Sequence, residues 1–223
     1  RRRHKPSTRR RPSFLSEVTF SGPRNKIIRS FLGLIPSAVC FFIMQTTTKG
    51  KENIPKKGPY ILAPNHFSLL DPFVLHSKHN KLTTYLMAED LDDLGWKELW
   101  MPWLYGVLLV NRKSLKPSTI KAVQKQIRKK EPICIFPEGT SVGRGLKPLK
   151  DGASYFAVKN KIPIIPVALS GTEELATKLK KLQRTQVGIA FGSPIVPLGG
   201  ESPGEITKKI EISLRKMLPD KYL

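Results

Sequence analysis

The chain has 223 residues and a formal net charge of +22, which gives it length for one globular domain and calls for an anionic partner or surface. Its two cysteines, Cys40 and Cys134, lie in separate apolar runs, which argues against a disulfide framework and suits a reducing compartment. A cluster of His66, His76 and His79 lacks a further carboxylate or cysteine at a recognised ligand spacing, so no metal ion is predicted.

The first 45 residues combine positive charge with an apolar stretch. Residues 1–12 are predicted to be a disordered basic arm, because an arginine-rich run with two prolines cannot bury enough surface to offset its ordering. Residues 13–45 carry apolar side chains near helical spacing, but Gly33 and Pro36 interrupt a run already shorter than the roughly 20 residues that cross a bilayer. We therefore expect an amphipathic helical hairpin, monotopic or peripheral, that anchors the protein to anionic phospholipids at the cytoplasmic face of the cell membrane. The alternative is a helix that packs on the protein's own core.

Residues 46–223 are predicted to form one α/β domain after a linker at 46–58. The predicted strands lie near 60–65, 82–88, 107–111, 132–136, 163–169 and 186–191. The predicted helices lie near 72–79, 92–103, 117–130, 151–160 and 202–218. This alternation indicates a largely parallel central sheet flanked by helices.

A histidine and an aspartate follow the first of these strands. His66 lies five positions before Asp71, an awkward separation within one helix, but the two side chains can meet if the helix begins only at Asp71 and Pro72. A histidine oriented by a carboxylate is typical of a general base near neutral pH. The alternative is that Asp71 only caps the helix and His66 is only a loop residue.

Two further strands end in groups that suit a phosphate. Arg112 follows the strand 107–111, and Glu138, Gly139, Thr140 and Arg144 lie in a glycine-rich loop after the strand 132–136. Backbone N–H groups of such a loop can approach an anion closely, and guanidinium groups pair with phosphate oxygens. Ligands collect at these strand ends in open α/β sheets.

Four motifs, in this order, resemble those of the glycerolipid acyltransferase family and span about half of the chain. The matching residues are Asn65, His66 and Asp71; the strand that ends at Arg112; the stretch 136–140; and the strand flanked by Pro163 and Pro166. Two positions depart from the family pattern: Asn111 replaces an aspartate, and Ser141 rather than arginine follows Thr140.

The resemblance implies acyl transfer without a covalent enzyme intermediate. His66 would take the proton of an acceptor hydroxyl, and Asp71 would orient the ring. The donor would be a thioester of acyl-carrier protein or coenzyme A, with no metal or other cofactor. The acceptor would be a lysophospholipid, above all 1-acyl-glycerol-3-phosphate, or alternatively glycerol-3-phosphate or another lysolipid. Its phosphate would be bound by Arg112, Glu138, Gly139, Thr140 and Arg144, with Glu138 holding an arginine or contacting a substrate hydroxyl. Asn65, Pro163 and Pro166 would support the site.

Two other functional classes compete with this interpretation. Residues 139–143 spell Gly-x-Ser-x-Gly, the pattern of a lipid esterase with Ser141 as nucleophile, but all four histidines precede that serine and the following residues predict a loop. A nucleic-acid-binding protein rests on charge alone, so no nucleic-acid partner is predicted. The basic helix 117–130 suits either solvent or an acidic acyl-carrier protein.

Overall fold

The computed structural model describes residues 38–79, 81–88, 107–110, 117–139 and 143–223. The predicted basic arm, residues 13–37 of the predicted anchor and the predicted helix 92–103 lie outside these described residues. Within the described ranges, the longest apolar helices fall short of what a membrane crossing requires.

Seven strands of the described residues form one sheet. In chain order they are β1 (Met44–Lys49), β2 (Ile61–Pro64), β3 (Thr84–Ala88), β4 (Val107–Val110), β5 (Ile133–Cys134), β6 (Ile164–Ser170) and β7 (Thr185–Phe191). Their spatial order is β1-β7-β6-β2-β5-β3-β4. The five strands from β6 to β4 are parallel, whereas β7 joins β6 antiparallel and β1 runs parallel to β7. The predicted α/β fold with a largely parallel central sheet is confirmed.

Helices connect most of these strands. Residues 38–43 are helical, and the helices that lie wholly within the described residues are α1 (Asp71–His79), α2 (Pro117–Arg128), α3 (Gly152–Asn160), α4 (Leu175–Lys180) and α5 (Pro203–Met217). The start of α5 is a capping box in which Ser202 accepts from the backbone N–H of Glu205 and the Glu205 carboxylate accepts from that of Ser202. Pro203 occupies the first turn, where its missing N–H is not needed.

Hydrophobic cores cover both faces of the sheet. Along β2, Ile61 and Ala63 contribute to one core and Leu62 to the other, and all three side chains are fully buried. Such two-sided burial is expected of a central parallel strand, which is why β2 reads in the sequence as a continuous apolar run rather than an alternating one.

The structure corrects the prediction for the segment before β2. Residues 46–49 of the predicted linker belong to β1, which pairs with β7 from Met44 to Lys49, so the sheet begins two residues inside the predicted anchor segment. Three consecutive threonines carry the strand, because β-branched residues fit a half-buried pleated surface. Helix α4 was not predicted at all.

The carboxyl ends of β6, β2 and β5 meet at one edge of the sheet, because these three strands are parallel neighbours. The loops that leave them begin at Asn65, Ile135 and Gly171. All described residues of the first and third motifs therefore lie at this edge.

Candidate active site

The side chains of His66 and Asp71 form a hydrogen-bonded pair. His66 Nδ1 lies 2.8 Å from Asp71 Oδ2, with the imidazole side chain 14% exposed and the carboxylate fully buried. Asp71 is the first residue of α1, where the helix dipole stabilises a negative charge. Five positions are bridged because His66 lies in the loop and the helix begins only at Asp71, as the sequence predicted.

One oxygen of Asp71 gathers three donors. Besides His66 Nδ1–H, Oδ2 accepts from the backbone N–H groups of Phe67 at 2.7 Å and Ser68 at 2.8 Å. The other oxygen, Oδ1, is buried without a hydrogen-bond partner in the described part of the chain. Burial first, and then the Asp71 charge, raises the pKa of the nearby Cys134 thiol. That thiol therefore stays protonated and is no nucleophile.

The Asp71 bond fixes the tautomer of His66. A carboxylate can only accept, so Nδ1 carries a proton, and in the neutral ring the lone pair lies on Nε2. The ring stacks on Phe136 with centroids 4.0 Å apart, which blocks one face and sets the ring plane. Among the described residues no hydrogen bond occupies Nε2, so this nitrogen can take a proton from a ligand.

Glu138 connects the histidine loop to the glycine-rich loop. Its Oε1 accepts from the backbone N–H of His66 at 2.8 Å, and its Oε2 accepts from that of Lys147 at 3.3 Å. Burial raises the pKa of Glu138, while these two N–H bonds oppose the rise. Its carboxylate thus holds backbone, and the salt bridge expected with Arg144 does not form among the described residues.

Asn65 ties the same loop to β6. Its buried amide donates from Nδ2 to the Leu169 carbonyl at 2.9 Å and accepts at Oδ1 from the Leu169 N–H at 2.7 Å. The pair imitates a strand ladder and satisfies two buried backbone groups. Pro163 and Pro166 contribute through their carbonyls, which accept from Ile61 N–H at 2.9 Å and Gly192 N–H at 2.8 Å. Asn65 therefore belongs to the framework of the site. Pro163 precedes β6 and binds the amino end of β2, the end opposite His66, and Pro166 lies within β6.

The structure describes only some of the residues predicted to bind the phosphate. Gly139 adopts φ +66°, and an added Cβ would lie 3.1 Å from the Lys150 ammonium nitrogen. Arg144 is exposed and belongs to the loop that follows. Arg112 and Thr140 lie outside the described residues, as does Ser141. The sequence analysis missed Lys147 and Lys150, whose signal was their spacing within a positively charged run just after the glycines.

His79 plays a separate, structural part. Its Nε2 accepts from the Tyr60 hydroxyl at 2.6 Å, and its Nδ1–H donates to Thr83 Oγ1 at 3.0 Å. Burial, with a smaller contribution from the Lys81 charge, lowers the pKa of His79 to about 3. Within the described ranges no three metal-ligating side chains gather into a metal site.

The arrangement defines a class of catalyst. A neutral imidazole with a free Nε2, oriented by a buried carboxylate at the carboxyl edge of an α/β sheet, can remove a proton from a hydroxyl and return it. The site would serve transfer of a group to an alcohol.

Comparison with known proteins makes the class specific. The acyltransferase family model matches residues 45–170, so the chain belongs to the acyltransferase family. It is 30% identical over 169 residues to the probable 1-acyl-sn-glycerol-3-phosphate acyltransferase of Mycoplasma pneumoniae, an alignment that covers 66% of this chain and 60% of that protein. It is 45% identical over 107 residues to the 1-acyl-sn-glycerol-3-phosphate acyltransferase of Salmonella typhimurium, covering 44% of this chain and 43% of the relative. The chain thus spans about half the length of these curated relatives.

One solved structure shares the fold. The crystal structure of the 1-acyl-sn-glycerophosphate acyltransferase of Thermotoga maritima matches with a TM-score of 0.69 at 20% identity, covering 87% of this chain and 81% of that one. The resemblance to the acyltransferase family drawn from the four motifs is therefore confirmed.

Proposed function

We propose that this protein transfers a fatty acyl group from a thioester donor to the free glycerol hydroxyl of a lysophospholipid, with 1-acyl-glycerol-3-phosphate as its principal acceptor and phosphatidic acid as its product. The observation that carries the proposal is the 2.8 Å bond between His66 Nδ1 and Asp71 Oδ2, which turns Nε2 into the free base. The names of the curated relatives support this acceptor.

The reaction begins with proton removal. His66 Nε2 takes the proton of the acceptor hydroxyl as its oxygen attacks the thioester carbonyl carbon. The new C–O bond forms a tetrahedral oxyanion, which collapses by breaking the C–S bond. The leaving thiolate takes the proton back from the imidazolium, so the histidine returns to its starting state. Asp71 stabilises the imidazolium between these steps.

The acceptor's phosphate is bound by positive groups around the glycine-rich loop. Arg112, Arg144 and the backbone of Gly139 and Thr140 are the residues we assign to it, and Lys150 is added because its ammonium lies over Gly139. A fixed guanidinium suits a phosphate through paired N–H donors. Glu138, being anionic, organises the two loops and makes no phosphate contact.

The donor and the membrane complete the proposal. The thioester is already activated, so acyl-carrier protein or coenzyme A serves as co-substrate and no metal or redox cofactor is needed. The basic residues 1–12 and the amphipathic residues 13–43, which precede β1, hold the protein on anionic phospholipids at the cytoplasmic face of the membrane. Because β1 begins at Met44, a deletion that tests this anchor should stop before that residue. The shortened protein should no longer sediment with anionic liposomes.

The decisive experiment offers a labelled acyl-thioester together with lysolipids of different headgroups and glycerol-3-phosphate, with products identified by mass. We expect phosphatidic acid from 1-acyl-glycerol-3-phosphate. His66→Ala should lower kcat by about 10²–10⁴-fold. His79→Gln serves as the matched histidine control and should keep kcat per folded molecule. Free fatty acid as the sole product, or a His66→Ala loss below about tenfold, would refute the proposal.

The phosphate assignment has its own control. Arg144→Ala should raise KM for the phosphate-bearing acceptor with little change in kcat, because it removes binding energy shared by ground and transition states. Arg215→Ala removes a guanidinium paired with Glu211 on α5 and should change neither constant. An unchanged KM in Arg144→Ala would remove this arginine from the phosphate site.

A further inference from the structure

Tyr222 lies in a 3-10 turn, Asp220–Tyr222, that follows α5, yet it contacts all three loops at the site edge. Its side chain is 2% exposed. The ring touches the histidine loop, the main-chain carbonyl touches the glycine-rich loop, and the hydroxyl touches the loop after β6. No motif of the sequence pointed to this residue.

The ring of Tyr222 supports the bond between Asp71 and His66. It stacks on Phe67 with centroids 4.8 Å apart and an interplanar angle of 26°. Phe67 follows His66 directly, and its backbone N–H donates to the same Asp71 oxygen that accepts from the imidazole. Because the Tyr222 ring fixes the position of Phe67, it also fixes the Phe67 N–H, one of the donors that orient the Asp71 carboxylate.

The main chain of Tyr222 reaches His66 by a second route. Its carbonyl accepts from the Leu146 N–H at 2.8 Å. The next residue, Lys147, donates its N–H to Glu138 Oε2, while Glu138 Oε1 accepts from the His66 N–H. One route thus ends at the Asp71 carboxylate and the other at the backbone N–H of His66.

The hydroxyl of Tyr222 anchors the ring to the third loop. It accepts from the Gly171 N–H at 2.9 Å and donates to Glu173 Oε1 at 2.6 Å. Burial, together with the Glu173 bond, raises the pKa of Tyr222, so the phenol keeps its proton and donates at all working pH values. The Lys221 ammonium lies over the ring, 4.6 Å from its centroid.

We propose that Tyr222 is a positioning residue for the acyl-transfer reaction, which acts through Phe67 and Leu146 to hold the His66 and Asp71 pair in its productive geometry. The inference rests on the proposed function of that pair. Its ring and carbonyl carry the effect, and its hydroxyl secures the ring. A displacement of about 1 Å at a reacting group can cost on the order of 10²-fold in rate, so loss of the ring should act on kcat.

The test compares Tyr222→Leu, Tyr222→Phe and Tyr155→Leu in the full chain. Tyr155 is a half-buried tyrosine on α3 in edge contact with Phe156, which makes it a matched control for losing a ring. We expect Tyr222→Leu to lower kcat about tenfold or more with the acceptor KM changed by less than about twofold. Tyr222→Phe keeps ring and carbonyl and should retain most of kcat. Tyr155→Leu should retain kcat even if it lowers Tm equally.

A second readout does not depend on turnover. The proton on His66 Nδ1 gives a downfield NMR resonance through its bond to Asp71, and this resonance should shift or broaden in Tyr222→Leu but not in Tyr155→Leu. If Tyr222→Leu does not fold, Phe67→Leu removes the same stacked pair from the other side and should show the same kcat loss.

Different results would overturn the inference about Tyr222 and the proposed function. A folded Tyr222→Leu protein with wild-type kcat and an unchanged resonance would overturn the inference, and so would an equal loss in Tyr222→Phe. Wild-type activity in His66→Ala would instead overturn the proposed function, whatever Tyr222 does.

Discussion

Asp71→Asn is the sharpest test of how the site works, because it removes one charge and keeps the shape. In the structure Asp71 Oδ2 accepts from His66 Nδ1–H and from two backbone N–H groups. An asparagine oxygen in that place still accepts, but its amide nitrogen then occupies the buried Oδ1 position, which has no partner in the described part of the chain. In the flipped orientation the amide NH2 group would point at His66 Nδ1–H and the two backbone N–H groups, which are themselves donors.

The cost in rate follows from the lost charge. When His66 takes the substrate proton, imidazolium and carboxylate form an ion pair whose bonded atoms are 2.8 Å apart. With charge centres about 4 Å apart and an effective dielectric constant of about 20, the attraction is about 4 kcal/mol. At about 1.4 kcal/mol per tenfold, Asp71→Asn should lower kcat by about 10³-fold. KM for the acceptor should change little, because the charge pair exists only once the proton has moved.

The assay is steady-state transfer from a labelled acyl-thioester to 1-acyl-glycerol-3-phosphate, with folding checked by circular dichroism. Asp151→Asn is the control: Asp151 likewise lies at the start of a helix, as the residue before α3, and accepts a hydrogen bond from Thr207 Oγ1 at 2.7 Å. It should lower stability and leave kcat within about twofold. A folded Asp71→Asn protein that loses less than about tenfold would refute the role of the carboxylate in stabilising the imidazolium.

Three further changes test the framework. Asn65→Ala leaves the buried Leu169 N–H and carbonyl without partners. At about 1–3 kcal/mol for each unpaired group, urea titration should show the free energy of unfolding lowered by about 2–6 kcal/mol. The half-buried Asn160, changed to alanine as a control, should cost about 1 kcal/mol. In Glu138→Gln the amide NH2 group would point at one of the two backbone N–H donors, so both Tm and kcat should fall. An unchanged kcat would show that the bridge between the two loops is not needed for catalysis. Acidification from pH 7 to pH 5 should lower the free energy of unfolding by about 2 kcal/mol through His79. Its folded pKa of about 3 lies below the unfolded value, so the unfolded state binds the proton first as the pH falls below about 6.5. His79→Gln should flatten that slope, and an equally steep slope in the variant would assign it to other groups.

The sequence predicts the parallel strands well because each of them can be recognised from its own residues. Each central strand is buried on both faces, so β2 and β6 are continuous apolar runs bounded by turn residues. The prediction fails at the other side of the sheet. Strand β1 alternates exposed side chains with half-buried ones after the buried Met44, and it is rich in threonine, a composition equally suited to a linker. Only its pairing with β7, about 140 residues later, decides between the two.

The candidate site likewise contains one part that the sequence predicts and one part that it does not. The pairing of His66 with Asp71 follows from local chemistry, since a helix that begins at an aspartate followed by proline brings the carboxylate back to the preceding loop. The role of Glu138 could not be predicted, because its partners are backbone N–H groups, which every residue possesses and no sequence pattern marks. The sequence analysis therefore gave Glu138 an arginine or a substrate hydroxyl as its partner, whereas in the structure its carboxylate accepts from two backbone N–H groups.

This distinction has a consequence for how the motifs should be interpreted. Asn65, Asp71 and Glu138 each use a polar side chain to bind the backbone of the histidine loop or the strand beside it. None of these bonds would be worth much in water, but all three side chains are buried, where an unmet donor costs about 1–3 kcal/mol. The loop can therefore hold His66 in one orientation only while all three partners are present. Replacing any one of the three should leave the chain folded around a misaligned histidine, so the motif residues act together to set the geometry of His66.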